Sequence, residues 1–70
     1  MIGRLVTFQK RTKDEAGKFI NIETEGRIVE EYVDEKITDG IKTSNKMVII
    51  AEEGGYLNQC RLYQVLRFLE

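Results

Sequence analysis

The chain alternates between short runs rich in Ile, Val, Phe, Tyr and Thr and tight clusters of turn-forming residues. Asp14-Glu15-Ala16-Gly17, Glu25-Gly26, Asp39-Gly40 and Glu53-Gly54-Gly55 punctuate it at close spacing. Glycine supplies positive φ at little steric cost, and Asp or Asn often precedes it in a tight turn. The runs between carry β-branched and aromatic residues, which fit a pleated surface. Short strands separated by such turns predict a small all-β sandwich or barrel.

The first run is Ile2 to Gln9. The second, Lys18 to Glu23, places Ile20 and Ile22 on one face and Phe19 and Asn21 on the other. Only Thr24-Glu25-Gly26 separates it from the third, which predicts a tight hairpin there. The third run, Arg27 to Asp34, carries Val29 and Val33 on one face and Ile28 and Tyr32 on the other. Each face also carries a glutamate, Glu31 or Glu30, so neither reads as a clean core face. Glu35 to Asn45 is polar apart from Ile37 and Ile41 and reads as the longest connection. Lys46 to Glu52 is apolar on both faces and reads as the most buried strand. Glu53-Gly54-Gly55 then leads into Tyr56 to Arg61 as a second hairpin.

The C-terminal segment supports two readings. Leu62, Val65, Leu66 and Leu69 follow the i, i+3, i+4, i+7 spacing of an amphipathic helix over 62–69. That helix lacks a good N-cap before Leu62 and is too short to stand without docking. The other reading is one helical turn near Tyr63-Gln64-Val65 followed by a short strand, Leu66 to Leu69. The expected architecture is a five- to six-stranded, mainly β, partly open barrel ending in that turn. The alternative is α+β, an antiparallel sheet with a C-terminal helix.

Three stretches resemble the SH3-like small barrels. Gly26-Arg27-Ile28-Val29-Glu30-Glu31-Tyr32-Val33 is similar to their second strand, Lys46 to Arg61 to their distal hairpin, and Leu62 to Leu69 to their helical turn and closing strand. The peptide-binding SH3 family reads proline helices on aromatic residues including a Trp, and this chain has no Trp. Compact barrels without an accessory domain resemble small phage- or prophage-encoded proteins. The superfold hosts many functions, so the resemblance implies no site residues.

Composition then narrows the chemistry. Seventy residues make one small domain, 1–70. With one Cys and no His, the chain can build neither an internal disulfide nor a Cys/His zinc site. Stability must come from backbone pairing, a dense core or self-association. A lone thiol suits a reducing compartment. The longest apolar run, Met47 to Ala51, is far short of the ~20 residues a membrane helix needs, and the N-terminus lacks a signal-peptide stretch. The expected setting is cytoplasmic, without membrane contact. Without His there is no Ser–His or Cys–His pair, and Gly54-Gly55 is not followed by a Lys or a helix start. Neither an enzyme nor a cofactor is expected. Cys60 reads as a buried structural thiol.

Charge is segregated along the chain. Residues 1–20 carry five basic and two acidic residues, and residues 21–40 carry two basic and seven acidic. Lys10, Arg11, Lys13 and Lys18, with the neighbouring Phe19, form a candidate phosphate-contacting loop or a solvated turn. The acidic stretch Glu23 to Asp39 could bind a cation, mimic nucleic acid or guard an edge strand. Its spacing fails as a calcium loop, because Lys46 stands where the bidentate Glu is needed. Guarding an edge against unwanted pairing is the favoured use. Tyr32 and Tyr56 are the candidate partner-binding aromatics, since a hydroxyl tolerates exposure. The leading expectation is a non-catalytic interaction module that binds a protein partner, assembles with its own copies, or both. The alternative is a weak nucleic-acid-binding barrel using the basic loop.

Overall fold

Val6 and Phe8 project to the same side of β1 (Leu5–Lys13) and seat that side on the core. The computed structural model describes residues 2–70. After β1 come β2 (Phe19–Thr38), β3 (Ile41–Glu52), β4 (Leu57–Arg61), a 3-10 turn (Leu62–Gln64) and β5 (Val65–Phe68). All five strands form one antiparallel sheet in the order β4-β3-β2-β1-β5.

The outermost strands, β4 and β5, are joined by three residues only. Four residue steps reach at most about 14 Å. A flat five-stranded sheet would hold its outer strands about 19 Å apart. The sheet therefore curls, but β4 and β5 are not paired and it does not close into a barrel. Inside the curl lie Val6, Phe8, Ile28, Val48, Ile50 and Cys60, with Leu62 and Val65 packed against them.

Two expectations need correcting, and the C-terminal alternative is decided for the helical turn followed by a strand. Thr24-Glu25-Gly26 is not a hairpin, because β2 runs through it unbroken for twenty residues. Gly26 does not adopt positive φ and instead pairs with Val6 on one side and Glu52 on the other. Glu35 to Asn45 is not a loop. Its β-branched residues extend β2 and β3 to a two-residue turn, Asp39-Gly40, with φ of 51° and 77°. Positive φ at both central residues matches the strand twist of a tight hairpin. The C-terminal helix over 62–69 is also absent. Residues 65–68 instead join the open edge of β1, where Val6 meets Phe68 and Phe8 meets Val65.

The first and fourth turns fall as the sequence indicates. The Gly17 N–H donates to the Asp14 carbonyl, and Asp14 Oδ1 accepts from the Lys18 N–H. Glu52 and Tyr56 close the turn between β3 and β4.

β2 is shared by two hairpins that diverge. Residues 19–27 pair with β1, and residues 26–38 pair with β3. Each hairpin thus runs on beyond the other as a two-stranded arm. The radius of gyration is 13.9 Å, against about 11 Å for a compact chain of this length. The accessible surface is 5328 Å², whereas a compact monomer of this mass exposes about 4,500 Å².

Candidate interaction surface

The longer arm begins where β2 carries a bulge. Ile28 pairs with Ile50, but Glu30 pairs with Ile49, so Val29 is the extra residue. The extra residue shifts the alternation of β2 by one. Glu31 and Val33 now share the core side with Val48 and Lys46, although regular alternation would have set Val33 opposite Ile28. Past the bulge the core side opens to solvent as a groove of about 260 Å³. Val33, Val48 and Leu62, with Glu31 and Lys46, line it from the core side, and Tyr32 and Met47 border it between them. Further out, Ile37 and Ile41 are largely exposed near the tip. A Lys42–Glu35 ion pair of 3.3 Å spans the arm, and both side chains lie more than half in solvent.

Tyr32 and Tyr56, the two candidate aromatics, are not brought together. Tyr32 is half-buried opposite Met47, and its hydroxyl is buried with no hydrogen-bond partner among the described residues. Tyr56 is exposed in the turn after β3. Five residue rises separate Met47 from the end of β3, about 17 Å.

The basic loop is divided by strand alternation. Lys10 faces the core side, where its Nζ donates to Glu52 Oε2 at 2.7 Å. Asn58 Nδ2 donates to the same oxygen. Lys10 and then Asn58 hold the Glu52 carboxyl below the ordinary glutamate value. This cluster ties β1, β3 and β4 together beside a cleft of about 250 Å³ lined by Phe8, Cys60 and Gln64. Lys10 thus stands apart from the other basic residues of this segment, on the core side and paired with Glu52. Arg11 and Lys13 lie on the opposite face, with their cationic groups 4.5 Å and 5.0 Å from the Phe19 ring centroid. Lys18 is exposed at the turn. Arg11, Lys13 and Lys18 make no ion pair with any described residue.

Other basic residues are engaged near the chain's end. Arg27 donates to both carboxylate oxygens of Glu70 and holds that carboxyl low. Arg67 donates to Glu23, whose carboxyl the nearby Thr7 hydroxyl and then Arg67 keep below its ordinary value. Arg4 stacks over Phe68 at 4.5 Å. Cys60 is free and buried, and burial pushes its thiol up.

The acidic stretch belongs to a central strand rather than to an outer one, which corrects the simplest edge reading. Past Arg27, where β1 ends its pairing, the Ile28 N–H donates to the Arg4 carbonyl and the Ile28 carbonyl accepts from the Gly3 N–H. Glu30 and Asp34 lie further along β2, on the face away from the core side.

No protein-family model, no curated protein and no solved structure matches this chain. Among the described residues no group of three or more Cys, Asp and Glu is placed to hold a metal ion. Among the described residues no helix is long and apolar enough to cross a membrane.

The groove residues Met47 and Leu62 were not singled out by sequence reasoning. Their apolar character was visible, but it reads equally well as core. The Lys10–Glu52–Asn58 cluster joins three strands, and no local spacing encodes it.

Proposed function

We propose that this protein is a non-catalytic β interaction module that binds a protein partner, assembles with its own copies, or both. The strand order, with a 3-10 turn between β4 and β5, supports reading the curled sheet as a partly open SH3-like barrel. The observation that carries the functional reading is the surface excess. The chain exposes 5328 Å², about 800 Å² beyond a compact monomer. That excess equals the share one partner contributes to a standard interface, also about 800 Å².

An isolated two-stranded hairpin is marginal in water. Among the described residues, no third strand pairs with the β2–β3 arm beyond the groove, so a partner would supply one. The exposed Val33 and Ile37 offer apolar area to such a partner.

Light scattering combined with affinity capture from native extract tests this reading. It expects a complex of fixed stoichiometry that Val33→Asp weakens while strand content stays unchanged. A chain that stays monomeric and retains no stoichiometric partner refutes it.

Nucleic-acid binding is the second reading, favoured by Arg11 and Lys13 on Phe19 without acidic partners. It expects an oligonucleotide shift with a steep salt slope that shrinks in Arg11→Ala/Lys13→Ala. No shift at about 50 mM salt removes it.

A further inference from the structure

The two arms differ in charge. At the β1–β2 tip Arg11, Lys13 and Lys18 make no ion pair among the described residues; they outnumber Asp14, which is engaged with the turn backbone, and the exposed Glu15. On the β2–β3 arm Glu30 and Asp34 stand on the face opposite the core side, again without an ion pair among the described residues. Asp39 adds charge at its tip. Both arms also expose apolar side chains, Phe19 at 59% on the first and Val29 at 46% on the second. Because β2 is one continuous strand, the tips lie at its opposite ends. They cannot neutralise each other within one chain.

Resting on the interaction-module reading, we infer that the partner of the β2–β3 arm is the basic β1–β2 tip of a second copy of this chain. The complementary patches sit at opposite ends, so the contact is heterologous, with different surfaces meeting. Such a contact propagates into a ring if the rotation closes and into a filament if it does not. Arg11 and Lys13 approach Glu30 and Asp34, while Phe19 covers the exposed Val29 side chain. Two unsupported arms of one chain thereby become a layered contact between neighbours.

Two charge-reversal variants test the contact. Arg11→Glu/Lys13→Glu makes both arms acidic, and Glu30→Lys/Asp34→Lys makes both basic. All four side chains lie on hairpin arms outside the buried core, and circular dichroism checks that each variant keeps its strands. The wild type is expected to sediment as an oligomer larger than a dimer, and added salt should weaken it by screening. Each variant alone should associate about tenfold or more weakly, because like charges then meet. An equimolar mixture of the two should recover association, since acidic and basic copies can alternate.

A wild type that stays monomeric at about 100 μM overturns the inference, because a specific self-contact is expected to be populated there. So does an oligomer indifferent to both reversals, or a mixture that fails to recover. A monomer that still holds a stoichiometric protein partner overturns this contact and leaves the interaction-module reading standing. A monomer whose oligonucleotide binding is lost in Arg11→Glu/Lys13→Glu overturns it in favour of nucleic acid.

Discussion

Gly26 lies against Ile50 with no room for a side chain between them. A Cβ at Gly26 would stand 2.6 Å from Ile50 Cγ2 and 2.8 Å from the Ala51 carbonyl oxygen. This glycine is therefore a site of close strand approach in the middle of β2. Its φ is not in the left-handed region, and the hairpins turn elsewhere.

Gly26→Ala should accordingly destabilise the fold by about 1–3 kcal/mol through overpacking, even though alanine has the better intrinsic strand geometry. Urea unfolding measures it. An unchanged midpoint would show that β3 moves aside at no cost, contrary to this packing.

The six-residue core has little redundancy, so small deletions should be felt. Ile50→Val should lower stability by about 0.5–1.5 kcal/mol, and Phe8→Ala by about 3–5 kcal/mol. The second loss is comparable with the whole stability of a domain this small. Calorimetry should show a cooperative transition for the first variant and little or none for the second.

The Asp39-Gly40 turn should govern the arm without governing the core. Gly40 has φ of 77°, and forcing a β-branched residue there costs about 1–3 kcal/mol. Gly40→Val should speed hydrogen exchange of the amides in 36–43. It should leave the exchange of Val6, Phe8 and Ile50 close to wild type. Equal acceleration everywhere would mean that the arm and the core open as one unit.

Glu52 links stability to pH. Lys10 and Asn58 lower its carboxyl in the folded chain below the ordinary value near 4.5. The unfolded chain therefore takes up this proton first as pH falls. The contribution is complete above about pH 5 and is drained as pH drops through the folded-state value. Glu52→Gln should flatten the fall of the thermal midpoint below pH 5, while lowering the midpoint at pH 7. Glu23 and Glu70 have the same sign, but their ion pairs are exposed and carry less.

Cys60 should resist thiol reagents in the native state. It is 7% exposed, and burial raises its thiol. Labelling should proceed at the rate of chain opening and become fast in denaturant. Rapid native labelling would mean that β4 detaches readily from β3.

Local chemistry marked some of the molecule in advance. Asp14–Gly17 and Glu53–Gly55 turn because their glycines take positive φ, and nothing distant is needed for that. The apolar run 47–51 could hardly be other than a buried strand, and two of its members, Val48 and Ile50, are fully enclosed. The absence of a good cap before Leu62 already argued against a long C-terminal helix.

Other features depend on what lies opposite. Gly26 carries the same residue type as a turn, and only the approach of Ile50 makes it a strand residue. The Val29 bulge changes which side of β2 faces inward, and a period of two in the sequence carries no mark of one extra residue. Lys10 sits in a run of cations, yet Glu52 and Asn58 take it for the core side. The sequence by itself determined the strands' character and most of their turns, because those rest on backbone sterics and side-chain shape. The tertiary structure decided which strands meet, where β2 shifts register, and that two oppositely charged arms stand uncovered. Those are set by the curl of the whole sheet, which no single segment contains.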